Sequence, residues 1–375
     1  MPGWRVLVAA VLLASLSQVA AYVIVPAIPL VSVGGGAVNG ESLVAVYLTV
    51  VAVMQLVWGP VSDRLGRRRT AALGIAVGLA GTVVCATSAT VAVLLTGRLL
   101  QAVGFSSCLV GSRAVVRDAS APDHLPRALA VTTVWIAVIP AVTPVLGGLL
   151  AAGYGWRAPF VLTAVLAGAV LVAVLLLLAA DGPPTAQPLP ALRTLTADRA
   201  LLLGSVAAAF HFGALSALTV GMPRLVERAA GLDAAGIGAL ISAMTPMFIL
   251  GAVLARSRPG RVQARPVRWA IAGQIACAAG GAVAVAAGGR WLGAALACCA
   301  LYCIAQGALL PALTSRAIGD ARSGSGVASS VFGAVQLLGG GAGAGLVAWV
   351  GSGAVWGVGA VMVAALTGAF LAVRT

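Results

Sequence analysis

The chain has 375 residues, 61% of them hydrophobic and only 9% charged, with a formal net charge of +14. A soluble domain carries about a quarter of its residues charged, so this composition excludes a water-facing fold over most of the length. All 23 basic residues are arginines, clustered between apolar runs without interleaved aromatics, which excludes the stripe expected of a nucleic-acid surface.

A helix needs ~20 apolar residues to cross a bilayer. A window of that length predicts spans over 5–31, 42–62, 70–90, 92–112, 128–151, 158–180, 200–222, 235–255, 268–288, 291–313, 326–350 and 352–373. The first runs too far for a secretory leader and is followed by many more, so it reads as a span. Glycines from Gly339 to Gly345 dilute the eleventh. Between the sixth and seventh lies DGPPTAQPLPALRTLTADR, where Pro183, Pro184, Pro188 and Pro190 stop any helix. Twelve spans place eighteen arginines in one set of connections and four in the other: Arg157, Arg224, Arg228 and Arg290. Arg98 is left well inside a span. The positive-inside rule assigns the richer set, and both termini, to the cytoplasm.

The expected fold is an all-α membrane protein of twelve transmembrane helices in two six-helix pseudo-repeat bundles. The N-terminal bundle covers 1–180, a cytoplasmic linker 181–199, and the C-terminal bundle 200–375. Two bundles about one hinge is the layout of carriers whose halves rock around a central site.

Catalytic chemistry is scarce. The chain has two histidines, His124 and His211, and six cysteines without metal-ligand spacing. Its nine acidic residues fall in loops or at span ends: Glu41, Asp63, Asp118, Asp123, Asp181, Asp198, Glu227, Asp233 and Asp320. No nucleophile–base pair, metal set or cofactor site assembles, so neither enzyme nor cofactor is expected. A buried carboxylate, the usual intramembrane proton carrier, is not evident.

The loop between spans two and three reads GPVSDRLGRRR. Gly59 permits close packing, Asp63 can cap the next helix and attract Arg64, Arg67 and Arg68, and Gly66 supplies a tight turn. Its counterpart in the second half keeps Gly251 and Arg256 but has Ala255 in place of the acid. Arg98 carries a cost of ~2.5–3.5 kcal/mol at mid-membrane unless it faces a cavity or snorkels to an interface. Gln101, one turn on, shares its helix face. His211 in span seven is either a helix–helix hydrogen-bonding residue or a proton carrier. Tyr22, Tyr47, Gln55, Trp135 and Gln306 are further candidates for a pathway lining. Pro140, Pro144, Gly147 and Gly148 would bend span five and allow tight contact with a neighbour.

The Gly59–Arg69 spacing resembles the loop signature of the major facilitator superfamily. Five further stretches resemble its drug:proton antiporter branch of the bicyclomycin and chloramphenicol resistance (Bcr/CflA) type: Pro26-Ala27-Ile28-Pro29, Arg98 to Gly104, Arg113 to Asp118, Pro144 to Gly148, and Gly155-Trp156-Arg157 with Phe160. The resemblance implies a secondary active efflux transporter of the bacterial inner membrane, monomeric in the lipid bilayer. It would exchange protons for a small lipophilic or amphipathic compound, an antibiotic or secondary metabolite. It further implies that Gly59, Asp63, Arg64, Gly66, Arg67 and Arg68 form a conformational gate. Pro140, Pro144, Gly147 and Gly148 would be the antiporter motif. The branch usually places an Asp in span one, four residues before the first proline; here that position is Tyr22. An uptake carrier or uniporter, or a transport-inactive sensor, therefore stays open.

Overall fold

A computed structural model describes residues 3–33, 36–37, 39–121, 124, 139, 142–179, 199–256, 264–287, 291–319, 325–351 and 355–374. Among them, eleven helices are long and apolar enough to cross a membrane, and one apolar helix is shorter. In chain order these are α1 (Trp4–Tyr22), α2 (Glu41–Leu65), α3 (Arg67–Thr87), α4 (Val91–Asp118), α5 (Val142–Tyr154, the shorter one) and α6 (Ala158–Leu177). The second set is α7 (Arg199–Ala230), α8 (Ala234–Arg256), α9 (Ala264–Ala286), α10 (Leu292–Gly319), α11 (Ser325–Val350) and α12 (Val355–Arg374). The expected linker, apart from Arg199, lies outside the described residues.

Local chemistry sets the helix ends. Pro26 and Pro29 close α1 into a six-residue 3-10 turn, Val25–Leu30, because neither ring nitrogen can donate to a helical ladder. A two-residue antiparallel ladder follows, pairing Ser32–Val33 with Gly36–Ala37. Thr90 starts α4 by accepting the Val93 N–H on its hydroxyl at 3.3 Å. Several expected boundaries move. α4 continues through Arg113 and Arg117 to Asp118, since no breaker intervenes, and α7 carries Pro223 internally before ending at Ala230. Arg113, Arg224 and Arg228 therefore stand on helices and not in connections. The glycine-rich stretch of the eleventh span is an unbroken helix.

Each half has its own core. One cluster of buried apolar residues is drawn almost wholly from the first six helices, and the other from the last six. The pairings α1–α4, α1–α6, α2–α4, α3–α4 and α3–α6 reappear as α7–α10, α7–α12, α8–α10, α9–α10 and α9–α12. That recurrence at a shift of six helices is the pseudo-repeat.

Glycine makes these pairings close. A Cβ at Gly104 would collide with the Gly78 backbone of α3, one at Gly307 with the Phe248 carbonyl of α8, and one at Gly343 with the Gly213 carbonyl of α7. Lipid offers no hydrophobic drive between helices, so such backbone approach supplies the packing energy. Gly343→Val should cost about 1–3 kcal/mol by overpacking and lower the unfolding midpoint in detergent. Gly273→Ala, whose added methyl meets nothing within 4 Å, should leave that midpoint unchanged or raise it.

Candidate functional site

Arg98 is the largest fully buried side chain of the first half. Its Nη1 donates to the Ala20 carbonyl of α1 at 2.9 Å and to Gln101 Oε1 at 2.5 Å, and its Nε to the Leu43 carbonyl of α2 at 3.1 Å. Gln101 Nε2 passes the chain to Thr82 Oγ1 of α3 at 2.8 Å, and that hydroxyl donates to the Gly78 carbonyl at 2.7 Å. The guanidinium carbon lies 4.6 Å from the Tyr47 ring centroid and 5.9 Å from that of Phe160 on α6. Tyr47 in turn donates to the Ser17 carbonyl at 3.0 Å. One cation thus ties together five helices, and Ala20 lies in the last turn of α1, where the helix dipole favours positive charge. Arg98 and Gln101 share a helix face as expected, but together with Tyr47 they are enclosed in the interior of the first bundle and not set on the lining of a pathway. Tyr22 packs against the same core.

The second half holds a polar cluster without a charge. Gln274 Nε2 of α9 donates to Gln306 Oε1 of α10 at 3.0 Å, and His211 of α7 is fully buried. Its imidazole approaches the Gln306 backbone without completing a hydrogen bond of normal geometry. Gln274 Oε1, Tyr302 Oη and Gln306 Nε2 likewise lack partners among the described residues.

At one end of the molecule the α2–α3 connection forms an ion-pair knot. Gly66, at φ 92°, makes the reversal between the helices in a region of backbone space open to glycine. Arg67 then meets Asp63 at 2.5 Å and Asp118 at the end of α4 at 2.7 Å, and donates to Ser62 Oγ at 2.9 Å. Arg68 donates to the Leu175 carbonyl of α6 at 2.6 Å, while Arg64 is exposed. Two expectations fail here. Asp63 does not cap α3, whose N-terminus carries no side-chain cap, because Arg67 holds the carboxylate. Gly59 is not closely packed: a Cβ there would meet nothing within 4 Å.

The halves meet toward the opposite end. Glu41, the first residue of α2, is fully buried, and its carboxylate stands 2.9 Å from Arg224 Nε of α7. Asn39 donates to the Ala348 carbonyl at the end of α11. From there α11 runs down α2, with Gly345 facing Ala45, Gly341 facing Thr49 and Gly333 facing Gln55. On the pseudo-symmetric side α5 meets α8. A Cβ at Gly147 would strike the Val23 carbonyl, one at Gly148 the Ala234 carbonyl, and one at Gly238 the Pro144 carbonyl. Trp135 and Pro140 lie outside the described residues.

The Major Facilitator Superfamily profile matches residues 8–348. The chain belongs to the major facilitator superfamily. Multidrug resistance protein D of Escherichia coli (strain K12) is 28% identical over 354 residues, 88% of this chain and 85% of that one. A chloramphenicol resistance protein of Pseudomonas aeruginosa is 35% identical over 166 residues, 42% of this chain and 40% of its own length. Among solved structures, a bacterial homolog of the human lysosomal transporter Spinster superposes with a TM-score of 0.75 at 20% identity, over 100% of this chain and 98% of that one. The peptide transporter POT in complex with sulfate gives 0.75 at 16%, over 100% and 94%. These structures share the fold.

Sequence reasoning about this major facilitator missed the charges that lie on helices. Glu41 was placed at a span end and no buried carboxylate was expected, yet Glu41 is enclosed because α7 continues past it and brings Arg224 over it. Its counter-charge lies 183 positions away in the sequence, so no local signal marks the pair. Arg113 was counted with a connection, yet it points from α4 toward α11.

Arg98 offers a direct test. Arg98→Ala strands two carbonyls and Gln101, which should cost about 3 kcal/mol, and Arg98→Lys should fall between, since an ammonium lacks the fork. Both are read as unfolding midpoints in detergent, and equal midpoints for all three proteins would remove the structural role.

Proposed function

We propose that this major facilitator is a secondary active exporter of a small lipophilic or amphipathic compound, working by alternating access and proton antiport. The observation that carries the reading is the seam between the halves, which runs from Glu41–Arg224 down to Gln55–Gly333. With the arginine-rich end and both termini assigned to the cytoplasm by the positive-inside rule, this conformation is sealed toward the outside. Similarity to Multidrug resistance protein D and to a chloramphenicol resistance protein supports export of drug-like molecules as the direction and substrate class.

Each motif then has a mechanical role. The Pro144–Gly148 backbone presses on α1 and α8 and seals the outer side against leakage. The Glu41–Arg224 pair clamps the same side, and separating such a buried pair costs several kcal/mol, which substrate binding must offset. The Asp63–Arg67–Asp118 knot braces the inner ends of α2, α3 and α4 as one body. Gly59, bare here, is the surface onto which the second half closes when the outer side opens. Arg98 positions α1, α2 and α4, and His211 is enclosed in the uncharged polar cluster of the second half. A uniporter reading is favoured by one observation, Tyr22 at the position where the branch carries an acid.

Inverted vesicles with an imposed pH gradient, assayed over a panel of antibiotics, should accumulate at least one compound and lose it when the gradient collapses. Transport indifferent to the gradient would leave the uniporter reading. Gly59→Leu should insert and fold normally, because nothing stands in its way, yet cut export about tenfold or more by blocking closure. Undiminished export by that variant would remove the closing role.

A further inference from the structure

The seam between the halves ends at Gly333 of α11. A Cβ built on Gly333 of α11 would stand 3.6 Å from Gln55 Oε1 of α2 and 3.8 Å from Arg113 Nη1 of α4. Two side chains of the first half therefore converge on one backbone position of the second. Gln55 is only 7% exposed and its Nε2 has no partner among the described residues. Arg113 is solvent-accessible. It belongs to the stripe Leu99, Val103, Val110, Arg113 and Arg117, one helix face of α4, whose other faces pack on α1, α2 and α3.

The carboxylates that could neutralise it are engaged or remote. Among the described residues, Glu41 pairs with Arg224 at the other end of the seam, and Asp63 and Asp118 hold Arg67. Glu227 and Asp233 lie by the ends of α7 and α8 away from Arg113. What remains at this end of the seam is a guanidinium and an idle amide N–H, both donors. A donor-rich site of this kind is satisfied by an oxygen anion, whose hydrogen bonds with a guanidinium are charge-assisted. A cation there would meet like charge with nothing to offset it.

We propose that Arg113 and Gln55 form the polar anchor for the transported molecule, and that this exporter takes amphipathic organic anions in preference to cations. The anchor rests on the transport reading above and narrows it to a substrate class. The α11 backbone at Gly333 already stands beside both side chains, so an anion held there touches both bundles and couples them.

The test compares fluorescein, a xanthene carrying carboxylate and phenolate, with rhodamine 6G, a cationic xanthene of similar shape. Fluorescence anisotropy on the full chain in nanodiscs, without a gradient, measures binding apart from export. Fluorescein should bind about tenfold or more tightly than rhodamine 6G, as one charge-assisted contact dictates. Arg113→Gln should erase that preference, Arg113→Lys should retain part of it, and Gln55→Leu should weaken fluorescein alone. Equal affinities in the unmodified protein, no binding of either dye, or a preference for rhodamine 6G would each overturn the proposal, whether or not the variants fold. Anion binding that persists in protein unable to pump would support the anchor while contradicting export.

Discussion

Close approach of helix backbones at glycine is the constraint on which this structure depends. In lipid, apolar side chains gain nothing by leaving one apolar surrounding for another, so helices associate where their backbones can touch. Gly78 against Gly104, Gly213 against Gly343 and Gly307 against Phe248 set the spacing inside each bundle. The same device builds the α2–α11 and α5–α8 seams between the bundles. Within a bundle such contacts are reinforced by extensive apolar packing. The α2–α11 seam is as extensive as the pairings within a bundle and is lined by the same small residues, which suits surfaces that must part and rejoin.

Charge is distributed by the same logic of satisfaction. Arg98 is buried and held by Nε and Nη1 on two backbone carbonyls and an amide, with an aromatic face beside it, and it serves as a structural rivet. Glu41 is paired with Arg224 only while the two halves touch at their end. Breaking such a pair uncovers two charges, so the pair biases the protein toward the sealed arrangement until binding energy offsets it. Arg113 at the other end of the seam has its acceptor position open among the described residues. The gradient from satisfied to conditional to unsatisfied charge follows the path from rigid core to moving interface.

Much of the fold was legible because it follows from composition and local pattern. Twelve apolar runs gave the spans, though the first, expected to run to 31, leaves the α-helix at Tyr22 and continues as the 3-10 turn Val25–Leu30. Gly66 was read correctly as the reversal, but the rest of the expected loop is helix, with Gly59 to Leu65 in α2 and Arg67 to Arg69 in α3. What the sequence hid was direction and distance. That Arg67 and not the α3 N-terminus would claim Asp63 depends on Asp118 arriving from α4. That Gly59 would be bare depends on which conformation the halves adopt. Glu41 was hidden because burial at a helix start is decided by a helix far along the chain. Arg113 was hidden because α4 runs past the length a bilayer requires, and hydropathy stops counting there. His211 and Gln306 were singled out separately, and only the packing of α7 on α10 shows them as one cluster.

The central claim is that the halves exchange which end is closed. Spin labels on α2 and α11, in a variant lacking the native cysteines, measure both ends by double electron–electron resonance. One pair at Asn39 and Trp349 reports the Glu41 end, and a second at Leu65 and Ser330 reports the arginine-rich end. A transported compound should lengthen the first distance and shorten the second, and Glu41→Gln should shift both the same way without it. Distances that stay fixed, or that lengthen and shorten together, would contradict alternating access.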